Sequence, residues 1–460
     1  MQSNTRAEKN REGLLSKYDK PGPRYTSYPT VPEWVDGTSA ETQMALNKAS
    51  KDQLPISLYV HLPFCERMCF FCGCQVVAGK PRSILPRYIE ALERELSMVR
   101  QALGPKKLVQ LHLGGGTPTF LHPNDLTQLS KSVWSNFERT VEAEISLEID
   151  PVVTTRAHLA TARSNGFNRL SMGVQDFGED VQEFIGRHQS EQRTVECFET
   201  ARQLGFKSIN VDLMYGLPGQ TPRHLEYSAR RIAELGADRV AIFGYAHVPW
   251  MRPHQKKLEI HGLPTTDARW EMAQIARTTL QQQGYVPIGM DHFALPEDEL
   301  SRAVKARRLS RNFQGYTVLD STHLVGIGMS AIGDVGDTYV QNSKRLSHYL
   351  ERIESGTFST ERSKALSVED KIRRAVITSL MCNLYVDFSQ IEKEFGIDFN
   401  AHFGTNLTKL SQMQEDGLLT CHDKSIEIKD LGRPFLRNIA MVFDAYLEAE
   451  PPKQRFSRVI

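Results

Sequence analysis

What most constrains this chain is a beat of alternating segments. Six short β-rich runs recur at 56–60, 108–113, 144–149, 169–174, 208–213 and 239–243. Amphipathic stretches separate them, at roughly 85–103, 124–136, 155–165, 191–204 and 222–236, and another follows at about 266–284. In LPRYIEALERELSMVRQAL the apolar residues Ile89, Leu92, Leu96, Val99 and Leu103 fall on one helical face. Strands alternating with helices imply a parallel sheet with right-handed crossovers. A doubly wound open sheet and a partial or full barrel both fit that cadence, and periodicity alone does not choose. Either architecture places a ligand site at the carboxyl ends of the strands. The unusual residues sit there. A cysteine cluster follows the first run and Gly114 to Thr119 (GGGTPT) the second. Asp150-Pro151, Gln175-Asp176, Tyr215-Gly216-Leu217-Pro218 and Tyr245-Ala246-His247 follow the other four.

The flanks differ in texture. Residues 1–53 read as an N-terminal arm, with a turn-rich stretch from Pro21 to Thr30. Residues 54–345 hold the βα units and their extension. Residues 365–460 read as three helices, a hairpin in LLTCHDKSIEIKD and a last helix near 432–448, a winged-helix-like order. With 56 basic and 55 acidic residues the net charge is +1, which argues against a nucleic-acid or membrane-surface protein. No run of 18 apolar residues exists, so no transmembrane helix is expected. The N-terminus is polar and lacks the apolar segment of a secretory signal. The expected location is the cytoplasm, where thiols stay reduced.

Of the seven cysteines, four fall in His61 to Cys74, HLPFCERMCFFCGC. An odd total fits a disulfide framework poorly, so metal binding is read first. Structural zinc takes two separated pairs of ligands, and this loop has no second knuckle. The other reading is an iron–sulfur cluster held by thiolates. The spacing CxxxCxxC sets three sulfurs around a short loop, and three thiolates leave one iron of a cubane open to react. Phe71 is placed to pack beside a bound cofactor.

CxxxCxΦC after the first strand resembles the radical S-adenosylmethionine superfamily. The motifs YTSYPT (25–30), YVHLPFC (59–65), CFFCGC (69–74), GGGTPT (114–119) and EIDP (148–151) narrow the likeness. So do GFNRLSMGVQDF (166–177), NVDLMYGLPGQT (210–221), YAH (245–247), GMDHFA (289–294), RNFQGYT (311–317) and RNIAMVFDAY (437–446). In this order, over almost the whole chain, they resemble the oxygen-independent coproporphyrinogen III oxidases. Haem-chaperone-like relatives have an aromatic at the position of Cys74 and lack YTSYPT. Val152-Val153, Leu295 and Gly186 depart from the family pattern, which bears on substrate contacts and leaves the motifs intact.

The resemblance implies a partial parallel (β/α)6 barrel of radical SAM type, with the arm and a smaller, mainly helical C-terminal domain. It implies a [4Fe-4S] cluster on Cys65, Cys69 and Cys72, and two S-adenosyl-L-methionine molecules per chain. Tyr59, Phe71, Gly73, Gly115, Gly116, Thr117, Glu148 and Ile332 fall to the first molecule. Gln175, Arg187, Asp212 and Ala246 fall to the second. Cys74 and Tyr59 are the catalytic candidates. The implied reaction is oxidative decarboxylation of two propionates of coproporphyrinogen III to vinyl groups by a 5′-deoxyadenosyl radical, giving protoporphyrinogen IX. Arg24 and Arg311 are candidates for the substrate carboxylates. An electron donor such as flavodoxin or ferredoxin is the expected partner, and the chain is expected to be a monomer. Two alternatives stand beside this: another radical SAM or haem-handling protein acting on a tetrapyrrole, and a non-enzymatic metal-cluster module.

Read by themselves these residues say less. GGGTPT also fits any tight βα turn. Glu148 and Asp212 inside strands need a partner, and a structural ion pair would serve. Arg187 after a helix reads as a solvated charge. Arg24, Tyr25 and Tyr28 fit either a packed arm or a lid.

Overall fold

The computed structural model describes residues 13–319, 322–449 and 456–459. Strands β1 (Ile56–Leu62), β2 (Lys107–Gly115), β3 (Glu138–Ile149), β4 (Arg169–Gln175), β5 (Ser208–Tyr215) and β6 (Arg239–Gly244) pair in parallel, each with the next in sequence. A further strand, β7 (His323–Ile327), joins in parallel on the other edge of β1. This order decides between the two architectures. A doubly wound sheet reverses direction partway, whereas here the strands progress in one direction, as in a barrel. The sheet stays open. Val286–Ile288 and His292–Ala294 continue it antiparallel beyond β6. Ile332–Val335, Thr338–Asn342 and Thr360–Ala365 do so beyond β7. These flanking strands are short and pair antiparallel, so the βα cadence of the sequence did not reveal them.

The two faces of the parallel strands are chemically opposite. Leu58, Val60, Leu111, Leu113, Leu147 and Met172 are buried in the main apolar core. Helix α1 (Leu85–Leu103) adds Ile89, Leu92, Leu96, Val99 and Leu103 to that core, as its spacing predicts. Helices α2 (Pro123–Asn136), α3 (Arg156–Ser164), α4 (Glu191–Gln203), α5 (Pro222–Glu234) and α6 (Thr266–Gln282) complete the outer layer. The alternate positions, Gln110, His112, Ser146, Ser171 and Asn210, line a polar cavity inside the sheet with Gln314 and Tyr316. Buried polar groups need partners. His112 Nδ1 lies 2.6 Å from Ser146 Oγ, and Asn210 Nδ2 donates to Ser171 Oγ at 2.9 Å. This division explains why the strands alternate apolar and polar rather than run continuously apolar.

The arm is packed down. Leu14, Leu15, Tyr18, Tyr25 and Tyr28 share a core with Phe399, Phe403 and Phe435. Tyr25 OH donates to Asp444 at 2.9 Å, and Pro21 forms a bridge with Arg458. The C-terminal part holds helices Val368–Asn383, Phe388–Phe395 and Phe399–Glu415. Strand Tyr385–Asp387 pairs with the hairpin of Leu419–His422 and Ser425–Ile428. The last helix expected near 432–448 is divided. A 3-10 turn, Asp430–Phe435, contains Pro434, and two short helices follow, Leu436–Met441 and Ala445–Ala449. Proline removes a helical donor, and buried Asp444, committed to Tyr25 OH and Tyr446 N, caps the next break.

Candidate active site

The cysteine loop is built on a rigid base. Phe64 is buried between the rings of Tyr88 and Phe120, with centroids 5.1 and 6.0 Å away. Phe64–Cys65 pairs in parallel with Val77–Ala78, which closes the loop at both ends. Within it Cys72 N donates to Cys69 O at 3.2 Å, and Phe70 N reaches Ile185 O at 2.9 Å. Phe70 and Phe71 pack against Val181, Ile185, Leu217, Tyr245 and Leu258. From the loop after β6, Gln255 donates to Phe71 O at 3.0 Å and Arg252 to Gly73 O at 2.9 Å, while His254 Nε2 lies 2.8 Å from Cys72 O. These contacts satisfy the carbonyls of the loop in a fixed shape.

Cys65, Cys69, Cys72 and Cys74 line a cavity of about 280 Å³ at the carboxyl ends of β1 to β5. Phe71, Gly115, Gly116, Thr117, Glu148, Gln175, Arg187 and Asp212 share its wall. Four expected residues do not line it. Gly73 adjoins it in the loop with its carbonyl taken by Arg252. Tyr59 lies on β1, its hydroxyl 2.9 Å from His61 Nδ1 and its ring stacked on His112 at 5.8 Å. Ile332 lies on the antiparallel extension; its carbonyl would stand 2.5 Å from a Cβ placed on Gly326, the neighbour of Tyr59 across β7. Ala246 borders a different cavity, and its carbonyl accepts from Gln255 at 3.2 Å.

The charged groups are arranged in pairs. Burial pushes Glu148 up, but His112 Nε2 at 3.0 Å and the Gly115 N–H at 2.8 Å outweigh it and hold the carboxyl below its ordinary value. Arg187, read from sequence as a solvated charge, is buried. It donates to Gly173 O at 2.7 Å, meets Asp150 at 3.3 Å and reaches Cys69 Sγ at 3.7 Å. Burial pushes the Cys65 thiol up to about 12 and raises Cys69 as well. Cys72 is drawn down by the Cys74 thiol, with Arg252 and Arg187 adding to it. Gln175 holds φ of 70° beside a register shift in β4. A non-glycine residue in that region is strained and turns its side chain out of the ladder.

His112 and the Arg252–Gln255 segment were missed in the sequence, whereas Asp150 was marked there only as a strand-end residue. His112 could have been found from its position, two residues before Gly114 on a strand whose alternate residues are polar. The Arg252–Gln255 contacts lie about 180 residues from the loop they hold, and no local pattern announces them.

Burial raises the Asp212 carboxyl to about 6, against hydrogen bonds from Asn210 at 2.7 Å and Ser171 at 3.2 Å. A carboxyl raised in the folded state is least costly when protonated. Its relative contribution is full below the ordinary carboxylate range and is lost as pH rises through about 6. Asp212→Asn is therefore expected to stabilise the protein at pH 8 by about 2 kcal/mol, with the difference closing by pH 4, in paired denaturant melts. The glycine loop makes a second expectation. Gly116 N donates to Leu62 O at 2.8 Å, and a Cβ there would sit 2.7 Å from the Pro63 carbonyl group. Gly116→Ala is expected to cost about 1–3 kcal/mol in the same melts, because backbone cannot move aside as a side chain can.

Among the described residues no three His, Cys, Asp or Glu side chains converge on a point that could hold a single metal ion. The thiols instead stand around a space, as a cluster requires and tetrahedral zinc does not. In the wall of the same cavity, Glu148, Asp150 and Asp212 bring carboxylates to a cationic ligand, and Gly115 and Gly116 let backbone approach it. The residues fit an iron–sulfur cluster with a cationic amino-acid-bearing ligand.

Comparison with known proteins agrees. Residues 59–232 match the model of the radical SAM superfamily, and residues 366–435 match that of the HemN C-terminal domain. An oxygen-independent coproporphyrinogen III oxidase of Escherichia coli is 42% identical over 97% of this chain and 98% of its own. One from Helicobacter pylori is also 42% identical, and one from Synechocystis 38%, each over 97% of this chain and 97–98% of its own. The solved structure of coproporphyrinogen III oxidase from Escherichia coli, described as a radical SAM enzyme, superimposes with a TM-score of 0.89 at 41% identity, over 92% of this chain and 98% of that one.

Proposed function

This chain belongs to the oxygen-independent coproporphyrinogen III oxidases of the radical SAM superfamily, and from that membership we infer the work of its cavity residues. It is an oxidoreductase of haem biosynthesis, converting propionate side chains of coproporphyrinogen III to vinyl groups without oxygen. When bound, the cluster and S-adenosylmethionine supply a carbon radical able to take hydrogen from an unactivated propionate carbon. One observation carries the assignment: the four clustered cysteines and the carboxylates of Glu148, Asp150 and Asp212 line one cavity.

Cys65, Cys69 and Cys72 hold the cluster, and Cys74, exposed at the cavity, is left to exchange a proton with the substrate. Phe71 and Gly73 shape the rim. Glu148, oriented by His112, and the Gly115–Thr117 backbone hold the amino-acid end of S-adenosylmethionine. Tyr59 acts beneath them by fixing His61 and His112, and Ile332 backs Tyr59 through the backbone at Gly326. Gln175, Arg187 and Asp212, in the wall of the same cavity, hold a second molecule, with Ala246 in the wall of the neighbouring one. Equilibrium dialysis should then count about two S-adenosylmethionines per chain, falling to about one in Asp212→Ala.

Next to Ala246 lies a cavity of about 120 Å³ between β6, α6 and the C-terminal segment. Arg24, Arg269, Arg277, Arg433 and Arg437 line it. Arg24 is bound to Asp291 at 2.6 Å and Arg437 to backbone carbonyls. Arg433 Nη1 is buried without a protein partner. Arg269, Arg277 and Arg433 are suited to receive substrate carboxylates, since a guanidinium matches a carboxylate with two hydrogen bonds. Arg311, buried against the Tyr316 ring at 4.9 Å, does not line this cavity.

Anaerobic reconstitution tests the whole reading. About four irons per chain, 5′-deoxyadenosine on adding dithionite and S-adenosylmethionine, and vinyl products from coproporphyrinogen III are expected. Zinc in place of iron, with no deoxyadenosine, would overturn it.

A further inference from the structure

The segment from Trp250 to Leu263 does not line the cysteine cavity, and its inner side holds the cysteine loop. It is laid across the outside of the cysteine loop. Arg252 holds Gly73 O, His254 meets Cys72 O, Gln255 holds Phe71 O, and Lys257 Nζ stands 4.5 Å from the Phe70 ring centroid. Successive loop residues are thus met in reverse order by successive segment residues. Buried Gln255 and Leu258 and the stack of His261 on Phe184 at 4.2 Å pin the segment down.

Its outer face is left apolar. Trp250 is 42% exposed, Met251 57%, Ile260 83% and Leu263 36%. Those are four of the eleven large apolar residues exposed among the described residues, carried on fourteen consecutive positions. Such exposure is an ordinary mark of an interaction surface. Lys256 and Lys257 are exposed on the same segment. The only carboxylate of the segment, Glu259, is occupied by His247 at 3.0 Å. The chain as a whole is nearly neutral at +1, so this basic rim is local.

Resting on the assignment of the cluster to Cys65, Cys69 and Cys72, we propose that Trp250–Leu263 is the docking surface for a small acidic flavoprotein that reduces the cluster. An electron must enter from outside, and this surface covers the cluster loop's outer side with one layer of protein. The basic rim complements an acidic partner and steers its approach. Trp250 and Met251 offer flat, polarisable contact to the exposed edge of a flavin ring. One electron leaves the anionic flavin hydroquinone, which becomes the neutral semiquinone, and the cluster is reduced by one; no bond changes.

The test uses the reconstituted full chain, with Trp250→Ala, Ile260→Ser and the pair Lys256→Glu/Lys257→Glu. Two readouts are taken with flavodoxin: equilibrium binding by fluorescence anisotropy, and the rate at which its hydroquinone bleaches the cluster absorbance. Each variant should weaken binding by about tenfold and slow bleaching to match, while bleaching by dithionite stays within about twofold of wild type. Wild-type binding should weaken steeply as salt is raised, as charge-steered association does. Unchanged flavodoxin binding, loss of the dithionite rate in parallel, or a response to ferredoxin alone would overturn the proposal. If wild type yields no 5′-deoxyadenosine with dithionite, the cluster assignment fails instead, and the binding measurement still judges the surface.

Discussion

Serine in place of Cys65, Cys69 or Cys72 is expected to reduce the iron of the reconstituted protein to background, whereas Cys74→Ser keeps about four irons per chain and loses about 100-fold in turnover. The split follows from how each thiol is held. Cys65 is fixed by its strand pairing with Ala78 and by Thr117 Oγ1 at 3.4 Å. Cys69 is fixed by Arg187 at 3.7 Å and by the turn to Cys72. A hydroxyl in any of these places cannot act as a thiolate toward iron. Cys74 follows a glycine whose carbonyl is tied by Arg252, and it is exposed at the cavity. Its loss leaves the three thiols in place and removes a proton donor that also hydrogen-bonds Cys72, a change on the scale of general acid catalysis. Iron analysis and the cluster absorbance separate the two outcomes. Loss of iron from Cys74→Ser would place all four thiols in the cluster's support.

Arg437→Ala is expected to be strongly damaging although Arg437 lies outside the cysteine cavity. The guanidinium is buried and donates to Pro23 O at 2.8 Å, to Arg458 O and Val459 O at 3.2 Å each, and to Gly22 O. One side chain thereby ties the arm to the C-terminal tail beneath the helix that carries it. Each buried acceptor left without a donor costs about 1–3 kcal/mol, and partial relaxation brings the total to about 3–5 kcal/mol. Limited proteolysis should cut the arm near residues 20–25 well before the barrel, and the denaturation midpoint should fall. Arg437→Lys should rescue little, since one ammonium cannot span acceptors on two segments. An arm as resistant as wild type would assign its anchoring to Tyr25 and Tyr28 alone.

Arm, loop and cavity differ in how far they could be read from sequence. The α1 face was legible because helical period and burial are the same fact: Ile89, Leu92, Leu96, Val99 and Leu103 all enter the core. The polar alternation of Ser146 and Glu148 was visible too, but not its meaning, since a polar lumen and a solvent-exposed face leave the same period. Arg187 was misjudged because nothing local shows that Asp150 and Cys69 would surround it. The single late helix failed at Pro434, and Asp444 is where a buried acid capped a new start.

By itself the sequence determined the local matters: six βα units, a three-thiol spacing with one thiol left over, and glycines where backbone must come close. These depend on period, spacing and backbone freedom, which are properties of neighbours along the chain. Only the tertiary structure decided that the strands progress in one direction instead of reversing, that the arm is packed rather than loose, and that Arg252, His254 and Gln255 clasp the cysteine loop from about 180 residues away. Those outcomes are set by burial and hydrogen-bond satisfaction between distant segments, and no local pattern encodes which carbonyl a distant side chain will reach.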